Sequence, residues 1–290
     1  MIRRQSLIVI VAVLSSGCGG DLKTALERLM DARRLAADLR VQFASAVDSG
    51  NRAVMSERED DSAAFAREAE QATQAVQQDA AKLKPILAEL DYSEETQLLE
   101  TFQRQFADYR ALDADILGLA VENTNLKAQR LSFGSGQQAA DAFGTALDPI
   151  ARSVSAPASS RAAALAATAV AAVREIQVLQ APHIAEADDA TMTQLEQRMK
   201  ASEGAARDAL RTIAGLAPPE SRPALAAATA ALDTFLSVNA EIVKLSRRNS
   251  NVRSLALSLG QKRTLTATCD ETLRSLQSAL EQRDLSSGTR

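Results

Sequence analysis

The sequence predicts an all-α fold of two tandem up-and-down four-helix bundles, elongated in outline. Three observations predict it. Apolar residues recur at steps of three and four over long stretches, the period of one helix face. The composition suits helix: 46% of residues are hydrophobic, only 3% are aromatic, Trp is absent, and 290 residues include 12 Gly and 7 Pro. The chain also repeats itself at an offset of 126, without a gap, from about Ala80/Ala206 to Leu147/Leu273. The stretch Leu245 to Gly260 and its partner Leu119 to Gly134 carry the pattern most clearly, with Asn-Thr-Asn at 123–125 and Asn-Ser-Asn at 249–251.

The elements follow in order. Arg3 and Arg4 precede the apolar run Leu7 to Leu14, too short for a bilayer-spanning helix of about 20 residues. Residues 1–17 therefore read as an export signal. Leu14-Ser15-Ser16-Gly17-Cys18 resembles a bacterial lipoprotein signal, which implies lipidation of Cys18 and a membrane anchor. The first bundle is assigned to 18–156. After Gly19-Gly20, Asp21 suits an N-cap, and Leu22, Leu26, Leu29, Ala32, Ala36, Leu39, Phe43 and Val47 mark the first helix, with an interruption expected at Asp48-Ser49-Gly50-Asn51. Glu57 to Asp61 marks a turn. The second helix carries Phe65, Ala72, Val76, Leu83 and Leu87, with Pro85 weakening its last turns.

Ser93, Glu94 and Glu95 suit a helix start. The third helix is expected unbroken from Thr96 to Leu131, about 54 Å at roughly 1.5 Å per residue, and ends or kinks at Gly134. A fourth runs from about Gln137 to Ile150. The break at Ser153 to Ser160 opens the second bundle, 157–284. Its helices read Arg161 to Leu179, ended by Pro182; Thr191 to Ala214; Leu232 to Leu259; and Arg263 to Gln282. Residues 285–290 form a frayed tail.

Charge and rare residues exclude several functions. The net charge is −4; without Arg3 and Arg4 the balance is 31 basic to 37 acidic residues, a net of −6. No nucleic-acid partner is expected from that balance. The single His, His183, cannot supply two Glu-x-x-His motifs, a Cys-x-x-Cys-His haem site or a zinc site. No Gly-x-Ser-x-Gly elbow or phosphate-binding Gly loop is present. The expectation is thus no catalytic residue, no metal and no cofactor. His183 beside Pro182 reads as a solvated helix-end residue. Cys269 reads as a small buried apolar side chain. The acidic groups Glu57 to Asp61 and Glu186 to Asp189 read as solvated turns.

Asn123 and Asn249 fall on the apolar seam of the third helix in each copy. Buried Asn residues commonly fix register between helices. The competing reading is a polar pocket lined by Asn123, Asn249, Ser132 and Ser258. Asn125 and Asn251, about 200° further round the helix, are expected to face solvent or another helix. Under the register reading, Asn249→Leu should raise stability.

The long third helix, Phe106-Ala107-Asp108-Tyr109 to Glu122-Asn123-Thr124-Asn125, its copy Leu232 to Asn251, and the turns after Ser132-Phe133-Gly134 and Ser258-Leu259-Gly260 resemble the four-helix-bundle sensor domain of methyl-accepting chemotaxis receptors. The resemblance implies an extracytoplasmic sensory module that binds a ligand or partner. No binding residue carries over, and no stretch after Cys18 is expected to span a bilayer. The expected function is a non-enzymatic, lipid-anchored helical-bundle protein on the periplasmic face of a bacterial membrane, the outer membrane being favoured. It would reach the membrane through its N-terminal lipid, bind an envelope protein or itself, and be open to a small-molecule ligand. The alternative is a structural envelope spacer or coiled-coil adaptor without a ligand.

Overall fold

The computed structural model describes residues 18–153 and 158–283. The expected signal at 1–17 and the tail lie outside them, and the side chain of Cys18, the expected lipidation site, is not described. The fold is all-α, 94% helical. The helices are α1 (Cys18–Met55), α2 (Glu59–Glu89), α3 (Ser93–Glu122), α4 (Thr124–Leu131), α5 (Gln137–Ser153), α6 (Ala158–Ala185), α7 (Asp189–Leu216), α8 (Arg222–Arg248), α9 (Ser250–Leu257) and α10 (Arg263–Gln282). Five-residue π-helical turns, Ser132–Gly136 and Ser258–Lys262, join α4 to α5 and α9 to α10.

Several helix boundaries differ from expectation. The helix expected from Thr96 to Leu131 is broken at Asn123, and its copy at Asn249, because both residues adopt the left-handed conformation, with φ 51° and 54°. Conversely, α1 runs through Asp48 to Asn51 and begins at Cys18, ahead of Asp21. Pro182, expected to end its helix, lies inside α6, whereas Pro85 and Pro149 lie inside helices as expected. Ser160–Ala185 also departs from expectation: its length and mean hydropathy of 1.5 suffice for a membrane span by composition alone.

The chain forms two compact units whose composition does not follow chain order. One contains residues 18–47, 69–110 and 264–283; the other contains 48–68, 111–153 and 158–263. A sequential division near residue 156 is therefore not how the units are built. The last helix of each repeat is exchanged: α10 belongs with α1–α3, and α5 belongs with α6–α8.

In the first unit, the core-facing residues keep steps of three and four. They are Leu39 and Phe43 on α1, Val76, Ala80, Leu83 and Leu87 on α2, Leu99, Phe102, Phe106 and Tyr109 on α3, and Cys269, Leu273, Leu276 and Leu280 on α10. Phe43 meets Phe102, Phe106 and Tyr109 edge-on at 6.1, 6.0 and 5.1 Å between ring centres, a favoured aromatic geometry. Cys269 is buried as expected, and burial, then Asp108, pushes its thiol up to about 12. Arg283 forks onto the buried carboxylate of Glu95 at 2.6 and 2.9 Å and lies over the Tyr92 ring. Arg33 donates to the carbonyls of Leu280, Glu281 and Arg283, satisfying groups that the end of α10 leaves unbonded.

The second unit has a leaner core. Ala166, Ala169, Val173, Ile176 and Leu179 of α6 pack with Phe143 and Leu147 of α5, Ala206 and Ile213 of α7, and Ala228, Leu232 and Phe235 of α8. Alanine on α6 lets neighbouring backbones approach closely. Asp188 caps α7, its carboxylate accepting from the Thr191 amide at 2.7 Å.

Truncating Phe102, fully buried in the aromatic cluster against Phe43 and Phe106, to Ala should cost about 3–5 kcal/mol. Urea denaturation of Phe102→Ala against the parent checks this.

Candidate functional site

The most distinctive polar site lies in the second unit, where the two Asn-x-Asn segments meet. Breaking a long helix leaves backbone amides at the start of the next helix without partners. Neither Asn123 nor Asn249 caps the helix it precedes with its own side chain. Each repeat caps the other instead. The Thr124 amide donates to Ser250 Oγ at 3.1 Å, and the Ser250 amide donates to Thr124 Oγ1 at 3.0 Å. The Asn125 amide donates to Asn251 Oδ1, and the Asn251 amide to Asn125 Oδ1, both at 3.1 Å. Asn125 Nδ2 donates to Asn249 Oδ1 at 2.8 Å and Asn251 Nδ2 to Asn123 Oδ1 at 2.9 Å. The four amide bonds join residues 126 apart, the offset of the sequence repeat, and the two side-chain bonds join residues 124 and 128 apart.

The local twofold relation then breaks down at its edges. Asn125 Nδ2 also donates to the Ile184 carbonyl at 2.6 Å, and Asn249 Nδ2 donates to the Glu186 carbonyl at 2.7 Å. Asn123 Nδ2 reaches only the Val121 carbonyl, at 3.3 Å. Arg248 forks onto Glu122, its own counterpart in the other copy, at 2.7 and 2.5 Å. Hydrogen bonding from Arg248 holds the Glu122 carboxyl below its ordinary range.

These contacts revise several expectations. Asn123 and Asn249 are buried, as a seam position requires, but they act at helix breaks. Of the two settings expected for Asn125, solvent or another helix, the second holds: it is buried and bonds to Asn249 and to the Ile184 carbonyl of α6. At a left-handed residue Leu carries a steric cost, so the conformation of Asn249 predicts a loss of stability for Asn249→Leu in place of a gain. Ser132 donates to Gln180 Oε1 at 2.6 Å, and Gln180 Nε2 donates to Asn239 Oδ1 at 2.8 Å. Ser258 instead donates to Asn51 Oδ1 at 3.2 Å, in an exposed position. Of the four residues expected to line one pocket, Asn123 and Asn249 share the Asn network, while Ser132 and Ser258 each bond elsewhere.

His183 is also placed differently. It is fully buried, because the core face of α6 continues from Ile176 through Leu179 and Gln180 to His183. His183 Nε2 lies 2.9 Å from Glu196 Oε1. The same carboxylate oxygen accepts from Arg247 Nε at 2.6 Å, and Arg247 also reaches Asp189 and Thr193. The Arg247 hydrogen bond is the main reason the Glu196 carboxyl sits below its ordinary value of 4.5. Glu186, in the neighbouring acidic turn, accepts from the amides of Ala187 and Asp188.

A buried ion pair had no signal in the sequence. Lys262, at the end of the second π turn, is 2.6 Å from Asp113, and both side chains are almost wholly buried. Burial raises the Asp113 carboxyl, with Lys262 opposing the shift. Gly50 makes room for the pair: a Cβ there would sit 2.5 Å from Lys262 Nζ. Lone Gly in a helix costs stability, and here the space it leaves is occupied by the ammonium group.

Two depressions flank α4. One, about 640 Å³, is lined by Glu57, Arg58, Glu59, Asp60, Leu126, Gln129, Arg130, Phe133 and Gly134. The other, about 280 Å³ and more apolar, includes Leu126, Gln129, Phe133, Ile184 and Val252. Phe133 borders both and is 72% exposed; Leu259, its counterpart one repeat later, is 67% exposed. Among the described residues no group of three or more His, Cys, Asp or Glu is placed to hold a metal ion. Comparisons with protein-family models, characterised proteins and solved structures return no match.

Asn249→Leu should lower stability by about 1–2 kcal/mol from the left-handed backbone, plus about 1–3 kcal/mol for the hydrogen bonds lost. Asn249→Gly should recover only the backbone part, as read from urea midpoints. Glu196 titrates lower in the folded chain than in the unfolded one, so its contribution is present above pH 4.5 and lost as pH falls through the folded value. Glu196→Gln should flatten the acid arm of a plot of melting temperature against pH.

Proposed function

We propose that this protein is a non-enzymatic, lipid-anchored helical-bundle module on the periplasmic face of a bacterial membrane, and that it works by binding a protein partner. The observation that carries the binding role is the exposure of Phe133 and Leu259. Both occupy the second position of a π turn, 126 residues apart, and both leave most of a large apolar side chain in solvent. Exposed aromatic and aliphatic residues are common anchors of protein interfaces, and Phe133 also borders both depressions. The export signal and Cys18 support the location, and the likeness to chemoreceptor sensor bundles supports a sensory or adaptor setting.

A polar small-molecule pocket draws less support. Asn123, Asn249 and Ser132 bond to other side chains and to backbone within the unit. That pattern favours the second reading, a structural spacer or adaptor with no small-molecule ligand, whose polar seam sets register. Both readings are non-enzymatic and differ in what the surface does.

The test is capture of the native lipoprotein from membranes, comparing the parent with Phe133→Ser/Leu259→Ser. The binding reading expects one stoichiometric partner to be lost from the double variant, at an unchanged melting temperature. Equal recovery of partners, or none with either protein, supports the spacer.

A further inference from the structure

We infer that core volume at one layer selects the exchange of α5 and α10 between the repeats. The offset of 126 matches core residues of the first unit to core residues of the second, and, carried upstream of Ala80/Ala206, it also pairs buried residues of α1 and α6. Phe43 corresponds to Ala169, Phe102 to Ala228, Phe106 to Leu232 and Tyr109 to Phe235. All eight are buried. The three helices α1–α3 thus present four rings where α6–α8 present two alanines, one Leu and one ring.

The fourth helices show the opposite trend. Cys269 of α10 lies in the ring-filled core, and Phe143 of α5, its counterpart, lies in the alanine-lined core. Both are fully buried. A small residue faces the crowded layer and a large one faces the roomy layer. If each repeat closed on its own fourth helix, Phe143 would enter a layer already holding four rings. Cys269 would face Ala169 and Ala228 across a void. Overpacking and cavities are both destabilising in close-packed cores, so the sequential pairing suffers at both ends.

Polar contacts of the exchanged helices point the same way. Thr272 of α10 donates to Gln105 of α3 at 2.8 Å, and Ala146, the counterpart of Thr272 on α5, has no hydroxyl to do so. On α5, Asp141 accepts from Arg174 of α6 at 2.6 Å. Its counterpart on α10 is Ala267, which has no carboxylate to offer. The volume mismatch acts in the interior, where no solvent is available to fill the gap or relieve the clash.

The experiment is a volume reversal in the full chain, with Phe143→Val, Cys269→Phe and both together. Each is made with and without Gln105→Cys/Thr272→Cys, a pair that a short bifunctional thiol reagent links only when α10 lies beside α3. The linked peptides are identified by mass spectrometry. In the parent background the 105–272 link forms. Each single change should lower the melting temperature by about 5 °C or more, since either pairing then contains one misfit. The reversed double should melt above both singles and lose the 105–272 link, because the sequential pairing now fits at both ends. A double variant that keeps the link, melts below the singles or fails to fold overturns the inference: pairing would then be fixed by the crossover or the surface contacts.

Discussion

Reciprocal capping at Asn123-Thr124-Asn125 and Asn249-Ser250-Asn251 is the interaction on which the rest of the second unit depends. A left-handed residue stops α3 and α8 and opens the amides of the following turn. Asn is among the few residues that tolerate this backbone, and its amide offers both donors and an acceptor. Because Ser250 and Asn251 satisfy the amides of Thr124 and Asn125, and the reverse holds equally, neither helix start is complete alone. Burying one segment without the other would strand polar groups at a cost of about 1–3 kcal/mol each. Two weak helix starts become one cooperative joint.

The joint also redirects the chain. After α4 and α9, the π turns lead into α5 and α10, and each of these joins the other repeat's three helices. The copies have diverged around this common plan. Lys262, Asp113 and Gly50 correspond to Gly136, Asn239 and Ile176. One π turn holds a buried ion pair formed between the copies, by Lys262 of the second and Asp113 of the first. The other has a chain of neutral hydrogen bonds from Ser132 through Gln180 to Asn239. At Gly136 a Cβ would stand 3.0 Å from the Leu131 carbonyl oxygen, so a side chain there would push that carbonyl by a few tenths of an ångström, whereas its counterpart carries a lysine. A buried pair is weak evidence for stability but strongly penalises loss of one partner.

The helical class and the repeat were legible because three-and-four periodicity and the offset of 126 are local properties of the sequence. The break at Asn123 was not. Phe106, Tyr109, Ile116, Leu119 and Leu126 keep helical spacing across it, and periodicity does not report one residue in the left-handed region. The doubled Asn-x-Asn was a visible signal, but its meaning depended on the two segments touching. The burial of His183 was hidden for a related reason: Pro182 suggested an end, while the face through Ile176 and Leu179 already pointed inward. The exchange of the fourth helices was encoded in Cys269 and Phe143, yet it could be read only once the four rings of the first unit and the alanines of the second were known to surround them.

Where the polar groups go bears on what the molecule has left for binding. Asn125, Asn249 and Gln180 bond to neighbouring side chains, and the buried His183 sits against a carboxylate that Arg247 already holds. Such groups fix geometry; engaging a ligand would first require breaking bonds made in a low-dielectric interior. The large apolar side chains exposed on the two π turns are Phe133 and Leu259. A π turn widens the helix locally and is often found at functional sites. Here it sets an apolar side chain outward immediately after a helix whose start is locked to its counterpart. Rigid support beneath an exposed anchor reduces the ordering cost of association. The same joint thus commits the Asn side chains of the interior to structure and leaves Phe133 and Leu259 exposed at its outer rim.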